Sequence, residues 1–166
     1  MGQRTVALTG TSSGIGFEVL CQLATKSLDI TFILINRTAD DNKRVIAKLL
    51  EIAPAAKFAA TYAVNLAELD DVIQVAERIR SSNSKIDVLI LNAGVMLVPF
   101  SLSHIGVETH HQINFIANKV LVDVLMPNLL NSDIGARVIA TSSVAHAWCG
   151  DEFEYAELKP SSVNYG

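Results

Sequence analysis

The 166-residue sequence has only two cysteines, no long uninterrupted hydrophobic run and no excess of positive charge. Cys21 and Cys149 are too few for a disulfide framework, which favours a reducing intracellular setting. The formal net charge of −4, without a basic cluster, argues against nucleic-acid binding. The longest apolar run, residues 86–100, contains polar residues and is too short to span a membrane. We therefore expect a cytoplasmic protein without a membrane segment, and without a targeting peptide because the first strand starts near residue 4.

The sequence has few histidines, and their positions do not indicate a metal site. His104, His110, His111 and His146 lack the spacing of metal ligands. The adjacent His110 and His111 would point to different faces of a helix. We expect surface histidines and no bound metal.

Half of the residues are hydrophobic, and apolar runs of strand length alternate with amphipathic segments along the chain. The runs predict strands at residues 5–8, 30–35, 58–64, 86–91 and 138–140. Apolar residues at helical spacing predict helices at residues 15–26, 41–52, 69–79 and 113–125. This alternation predicts an α/β fold in a single domain over residues 1–166, with a doubly wound parallel sheet and helices on both faces.

A glycine-rich stretch leads from the first predicted strand into the first helix. Gly10-Thr11-Ser12-Ser13-Gly14-Ile15-Gly16 would direct backbone N–H groups and the helix dipole at one point, which suits a phosphate or pyrophosphate. Gly10 would permit the tight turn, Gly14 close backbone approach, and Gly16 packing of helix on strand. The spacing differs from the common Gly-x-Gly-x-x-Gly fingerprint, so the stretch alone is also compatible with an ordinary turn.

Polar motifs follow several of the predicted strands. They are Gly10 to Gly16, Asn36-Arg37, Asn92-Ala93-Gly94 and Ser142-Ser143. In a doubly wound sheet, ligands bind at the carboxyl ends of the strands. The sequence therefore predicts that these loops converge on one binding edge.

With these motifs, and with Asn114 in the fourth helix, the chain resembles the short-chain dehydrogenase/reductase family over essentially its whole length. Ser142 to His146 and Gly106 to Glu108 are similar to its retinol-dehydrogenase-like branch. The resemblance implies a Rossmann-type fold. It also implies an oxidoreductase that transfers a hydride between a nicotinamide cofactor and a small-molecule alcohol or carbonyl substrate.

The choice of cofactor depends on the end of the second strand. An NAD site has a carboxylate there for the ribose hydroxyls, whereas this chain has Asn36 followed by Arg37. A guanidinium pairs with a 2′-phosphate, so NADP(H) is favoured over NAD(H). Asp40 and Asp41 could instead approach a ribose, and Arg37 could be a solvated loop charge. The cofactor-binding residues that the resemblance implies are Gly10, Ser12, Ser13, Gly14, Ile15, Gly16, Arg37, Asn65, Leu66, Asn92, Ala93 and Gly94. At Asn65 the family usually has an aspartate.

The resemblance also implies the catalytic residues. Ser143 would hydrogen-bond the substrate oxygen, and Asn114 would hold the catalytic lysine through a water molecule. The alternatives are a serine that merely ends a strand and a surface asparagine. The family's tyrosine, with a lysine four residues later on one helix face, exchanges a proton while the hydride moves.

Two tyrosines near the C-terminus compete for that role. Tyr155 and Lys159 have the required spacing, but Pro160 pushes Lys159 out of the helical region, so Tyr155 is interpreted as a decoy. Tyr165 fits the retinol-dehydrogenase-like pattern better, although its lysine would fall beyond Gly166. We therefore expect a C-terminally incomplete chain that lacks the last strands and helices. A homodimer is expected only of the full-length protein.

Two other functions fit parts of the sequence. Residues 10–14 match the Gly-x-Ser-x-Gly elbow of α/β-hydrolases, with Ser12 as nucleophile. That interpretation lacks preceding strands to supply an oxyanion loop and leaves Gly16 unexplained. A nucleotide-binding remnant without catalysis would fit the missing lysine.

Overall fold

The computed structural model describes residues 3–26 and 29–148, in which strands and helices alternate. The strands are β1 (Arg4–Thr9), β2 (Ile30–Asn36), β3 (Lys57–Ala63), β4 (Val88–Leu91) and β5 (Arg137–Ala140). The helices are α1 (Gly14–Lys26), α2 (Ala39–Ile52), α3 (Leu69–Ser82) and α4 (Thr109–Leu130). Helix α4 contains a π-helical turn, Gln112–Ile116, and a 3₁₀ helix, Val144–Trp148, follows β5. The predicted α/β fold is confirmed.

The five strands form one parallel sheet in the order β3-β2-β1-β4-β5. The chain first builds outward from β1 to β3 and then crosses back to add β4 on the other side of β1. Leu8 in β1 thus pairs with Leu34 on one side and Ile90 on the other. This reversal creates a crevice between the carboxyl ends of β1 and β4, where doubly wound sheets bind their ligands.

Both faces of the sheet are buried at β2, which explains the near-continuous apolar run of that strand, whereas the edge strand β5 is exposed. Alternate side chains point to opposite faces. Phe32 and Leu34 pack in the core formed with α1 and α2, whereas Ile33 and Ile35 pack in the core formed with α3 and α4. All are at most 1% exposed, and burying each contributes about 1.5–3 kcal/mol. The two cores fix the strand ends relative to one another.

Among the described residues, helix Thr109–Leu130 has the length and apolar composition of a membrane-spanning helix. However, its Leu121, Leu125 and Leu129 are buried in the core beneath the sheet, on the side that also holds α3. A core helix meets the same length and composition criteria, so these two properties do not by themselves indicate a membrane span.

Candidate functional site

The crevice is closed at its base by the hydroxyl of Thr9, at the end of β1. Its Oγ1 accepts hydrogen bonds from the backbone N–H groups of Asn92 at 2.9 Å and Ala93 at 3.0 Å. The side chain of Asn92 donates to the carbonyl of Gly10 at 3.1 Å and accepts from the hydroxyl of Thr141 at 3.2 Å. The ends of β1, β4 and β5 are therefore held together by a short polar network. The sequence motifs included Asn92 but did not reveal its contact with Thr9.

The three glycines of the first loop are required for different reasons. Gly10 has a φ of +68°, and a Cβ there would lie 2.7 Å from the Cα of Ala93. A Cβ on Gly16 would lie 2.1 Å from the Gly10 carbonyl oxygen and 2.5 Å from Nδ2 of Asn92. Gly14 has a φ of +55° but open space where a Cβ would be. Gly10 and Gly16 thus allow close packing, and Gly14 provides a left-handed backbone conformation beside open space.

The first turn of α1 adjoins the crevice, and helix geometry leaves its first backbone N–H groups without helical acceptors. The helix begins at Gly14, and its first turn contains no acidic side chain. Ser12, Ser13 and Ile15 line the crevice beside it. Free N–H groups and the positive end of the helix dipole favour an anion at this position. The loop therefore has the donor set of a phosphate site.

Asn36, at the end of β2, is a structural residue. It is only 3% exposed. Its Oδ1 accepts from the N–H of Thr11 at 2.7 Å, and its Nδ2 donates to Oγ1 of Thr11 and Oδ1 of Asn42, both at 2.8 Å. Asn42 in turn donates to the carbonyl of Tyr62 at 2.9 Å. Because its amide is committed to the glycine loop and α2, the choice of cofactor falls to the residues that follow Asn36.

The two aspartates that follow are engaged with their own helix. Asp40 pairs with Lys43 at 3.1 Å on the exposed face of α2. Asp41 accepts a hydrogen bond from the hydroxyl of Thr38 at 2.7 Å and pairs with Arg44. Hydrogen bonds from Thr38 and Arg44 hold the pKa of the Asp41 carboxyl below its usual range. Both carboxylates therefore already have partners that do not depend on a ribose.

A cleft of about 1500 Å³ runs along the carboxyl ends of the strands. It gathers the predicted site residues that the structure describes, except Gly14 and Gly16, which lie in the adjoining first turn of α1. The gathered residues are Gly10, Ser12, Ser13, Ile15, Arg37, Asn65, Leu66, Asn92, Ala93, Gly94, Asn114 and Ser143. In the described part of its lining, the charged side chains are Arg37 and Asp41 at the β2 end. Among the described residues, the β4 and β5 end of the lining, the uncharged end, has no charged side chain.

Asn65 and Leu66 lie where β3 leads toward α3. The N–H of Asn65 donates to Asp71 at 2.6 Å, and its side-chain oxygen accepts from the N–H of Ala67 at 3.2 Å. Both residues line the cleft between its two ends. Asn65 therefore shapes the turn between β3 and α3. Its amide oxygen accepts the hydrogen bond that a carboxylate would accept there.

Asn114 holds the loop that follows β4. It lies in the π-helical turn of α4, and its Oδ1 accepts from the N–H of Val95 at 2.8 Å while its Nδ2 donates to the Val95 carbonyl at 2.9 Å. A Cβ on Gly94 would lie 3.1 Å from Asn114 Oδ1, so the glycine permits this approach. The carbonyl of Asn114 accepts from Nδ2 of Asn118 at 2.9 Å. Asn114 is therefore exposed, as expected of a surface asparagine, and it also clamps the loop at Val95.

Ser143 follows β5 at the uncharged end of the cleft. Its Oγ accepts from the N–H of Ala145 at 3.2 Å, at the start of the 3₁₀ helix. This hydrogen bond fixes the hydroxyl at the mouth of the cleft. Tyr155, Lys159 and Tyr165 lie outside the described residues.

The loop after β4, which Asn114 holds at Val95, has a second polar contact that the sequence did not reveal. Nε2 of His110 lies 3.3 Å from the backbone nitrogen of Val98, and its Nδ1 lies 2.7 Å from Oε1 of Glu108. The side chain of His110 is 21% exposed and that of Glu108 is 5% exposed. The expectation of a surface histidine is therefore wrong for His110. A glutamate at the helix N-cap, two residues before the histidine, was the available signal.

Comparison with known proteins gives consistent matches. The family profile described as short chain dehydrogenase matches residues 4–150. The WW domain-containing oxidoreductase of Pongo abelii is 31% identical over 167 residues, covering 98% of this chain and 39% of that protein. Retinol dehydrogenase 12 of Mus musculus is 29% identical over 147 residues, covering 86% of this chain and 44% of that protein. The chain thus spans less than half the length of these curated relatives.

Solved structures match in the same way. A short chain dehydrogenase from Escherichia coli CFT073, solved in complex with NADPH, has a TM-score of 0.69 and 25% identity over 86% of this chain and 60% of that one. The family match leaves the hydrolase interpretation of Ser12 without support. The profile also covers the glycine loop and the ends of β4 and β5 that line the cleft. The chain belongs to the short-chain dehydrogenase/reductase family.

Proposed function

We propose that the protein is an NADP(H)-dependent oxidoreductase that transfers a hydride between the nicotinamide and an alcohol or carbonyl group of a small molecule. The observation that carries the proposal is the continuity of the cleft. One cavity joins the anion-binding loop after β1, the guanidinium after β2 and the serine hydroxyl after β5. This continuity supports the binding of a phosphate-bearing dinucleotide and a reacting oxygen side by side in one cleft.

The loop after β1 fits a pyrophosphate. The first turn of α1 supplies N–H donors, and no acidic side chain in that turn opposes an anion. The position of a Cβ on Gly14 is open, so a phosphate can approach the backbone there. Gly10 and Gly16 hold the loop against the strand ends.

Arg37 supports NADP(H) over NAD(H). Its side chain lines the cleft directly after β2, where a guanidinium can pair with a 2′-phosphate. Asp41 is a weaker candidate for binding the ribose of NAD(H), because its carboxylate already accepts from Thr38 and pairs with Arg44. The E. coli relative that was solved with NADPH supports the same cofactor class.

The uncharged end of the cleft fits the reacting group. When bound, the cofactor supplies or accepts the hydride. Ser143 would hydrogen-bond the substrate oxygen, and Tyr165 would give that oxygen a proton during reduction. Asn114 contributes by clamping the loop at Val95, and the resemblance further assigns it a water-mediated contact with the family's lysine.

The experiment is NADPH consumption by the protein isolated from its source cells, with its intact mass measured and a panel of aldehydes and ketones offered as substrates. Ser143→Ala is expected to lower kcat about 10²- to 10³-fold, the usual effect of losing one donor to a reacting oxygen. Ser142→Ala, the neighbouring cleft residue, is the matched control and is expected to have a much smaller effect. NADPH binding without turnover of any substrate would favour the catalytically inactive remnant. Absence of binding would contradict the proposal.

A further inference from the structure

The loop between β4 and α4 forms a wall of the cleft at its uncharged end. Val95, Met96, Val98 and Pro99 line the cavity. Between them, Leu97 is 81% exposed and has a φ of +56°. A bulky side chain rarely adopts this left-handed conformation, and it persists where neighbouring contacts fix the backbone. The residues that flank Met96 and Leu97, the tip of this loop, must therefore hold the backbone in place.

Two side chains of α4 hold the backbone on either side of this tip. Asn114 binds both the N–H and the carbonyl of Val95. His110 lies one turn earlier in the helix, and its Nε2 is 3.3 Å from the nitrogen of Val98. The tip is thus pinned at Val95 by an amide and at Val98 by an imidazole.

The contacts of His110 with Val98 and Glu108 fit one form of the imidazole ring. A backbone N–H can only donate, so Nε2 must accept from Val98. Glu108 can only accept when ionised, so Nδ1 must carry the proton that it donates to Oε1 at 2.7 Å. Burial alone would raise the pKa of Glu108, but hydrogen bonds from His110 and the N–H of His111 outweigh it and lower that pKa. The neutral imidazole with its proton on Nδ1 satisfies both neighbours.

Protonation of His110 would place an N–H on Nε2, directed at the N–H of Val98. The Val98 contact would then be lost, while Glu108 would keep its partner. Residues 94–103 contain no titratable side chain, and His111 stacks on Phe115 with ring centroids 5.2 Å apart. The next histidine, His104, pairs with Glu68 at 2.9 Å. Asn114 does not titrate, so the pin at Val95 would remain.

We propose that His110, oriented by Glu108, is a positioning residue that holds the Met96–Leu97 wall of the cleft, and that it does so only as the neutral imidazole. The identification of this wall as the substrate wall rests on the proposed oxidoreductase function. In that function, acid would loosen the substrate side of the cleft and leave the cofactor side intact. Acid is therefore expected to raise KM for the substrate more than it weakens NADPH binding.

Two variants separate the two contacts of the imidazole. In His110→Gln the side-chain oxygen can take the place of Nε2 and accept from Val98 at every pH. In His110→Asn the shorter side chain can still reach Glu108 but not Val98. Thermal unfolding of both variants identifies any that fail to fold, and His110→Gln then provides the decisive comparison with the wild type.

The measurement is amide hydrogen exchange at Val98 by NMR, corrected at each pH for the intrinsic exchange rate. On acidification, protection at Val98 is expected to fall about tenfold in the wild type. Protection at Val95 should hold. His110→Gln should remain protected throughout, and His110→Asn should be unprotected throughout. Protection at Val98 that does not change with pH, or the same pH dependence in His110→Gln, would overturn the inference.

NADPH titration of the same samples separates this inference from the proposed function. If NADPH does not bind but Val98 responds to pH as expected, the oxidoreductase proposal fails while the role of His110 in positioning the loop stands. If NADPH binds but Val98 does not respond, the inference fails. In the active protein, KM for the carbonyl substrate should rise in acid for the wild type and stay level for His110→Gln.

Discussion

The hydroxyl of Thr9 lies 2.9 Å from the backbone nitrogen of Asn92 and accepts its hydrogen bond, across the point where the strand order reverses. The same oxygen accepts from Ala93. Thr9 is completely buried, so water cannot replace it. This side chain thereby joins the two strand ends that form the base of the cleft.

Replacing Thr9 with valine keeps the shape of the side chain and removes this acceptor. Because two partly buried N–H groups would then lose their acceptor, the free energy of unfolding should fall by about 2–4 kcal/mol. Urea denaturation measures the change. Thr25→Val is the matched control, since the Thr25 hydroxyl bonds carbonyls of its own helix and its loss should cost no more than about 0.5 kcal/mol. Equal losses for the two variants would contradict this role of Thr9.

Alanine substitutions at two glycines of the same loop should differ in severity. At Gly16 the added carbon would clash with the Gly10 carbonyl and with Asn92, so the loop must move and NADPH binding should weaken at least about tenfold. At Gly14 the carbon has room, and the cost should be the left-handed backbone alone, about 1–2 kcal/mol of stability. Gly14→Asn should cost less, because asparagine tolerates that conformation. Unchanged stability and NADPH affinity in Gly16→Ala would contradict the clash.

An aspartate in place of Asn36 tests whether this position selects the cofactor or supports the fold. The carboxylate would lose the two donors that bond Thr11 and Asn42, and it would face the side-chain oxygen of Asn42. We expect a loss of about 2–4 kcal/mol in stability, from the unpaired buried groups, without a gain in NADH affinity. Urea denaturation and an NADH titration measure the two effects. Tighter NADH binding with unchanged stability would show that Asn36 faces the ribose.

The lowered pKa of Glu108 predicts the sign of one pH effect. A carboxyl whose pKa is lower in the folded state stabilises the fold above its unfolded pKa, and this stability is lost as pH falls through the folded pKa. Glu108→Gln should therefore flatten the acid side of the stability profile below about pH 4, where carboxyls ordinarily titrate. At neutral pH the variant should lose about 1–3 kcal/mol.

The control for this profile is Glu51→Gln, at an exposed position near the end of α2, which should change stability by no more than about 0.5 kcal/mol. Chemical denaturation over a series of pH values measures both variants. If Glu108→Gln keeps the full acid dependence of the wild type, the hydrogen bonds of Glu108 are not its source.

The fold could be predicted from the sequence because its signals are local. The run from Ile30 to Ile35 indicates a strand buried on both faces, and the spacing of Leu121 and Leu125 indicates a core helix. The glycine loop likewise contains its own turn and helix start. These patterns required no knowledge of distant contacts.

The contacts within the site could not be predicted, because each joins distant residues. Asn36 meets Thr11 across 25 positions, and the Thr9 hydroxyl meets Asn92 across 83. The approach of His110 to Val98 depends on a loop that turns through an exposed leucine with positive φ. In each case the residue type was visible in the sequence, but its partner was set by the path of the chain.

The central claim is tested most directly by titrating the 166-residue chain with NADPH and, separately, with NADH. Arg37→Gln is the test variant, and Lys48→Gln, at an exposed position of α2 outside the cleft lining, is the control. We expect NADPH to bind at least about tenfold more tightly than NADH. That preference should be lost in Arg37→Gln and retained in Lys48→Gln. Equal affinity for both nucleotides in the unmodified chain, or binding of neither, would contradict the claim.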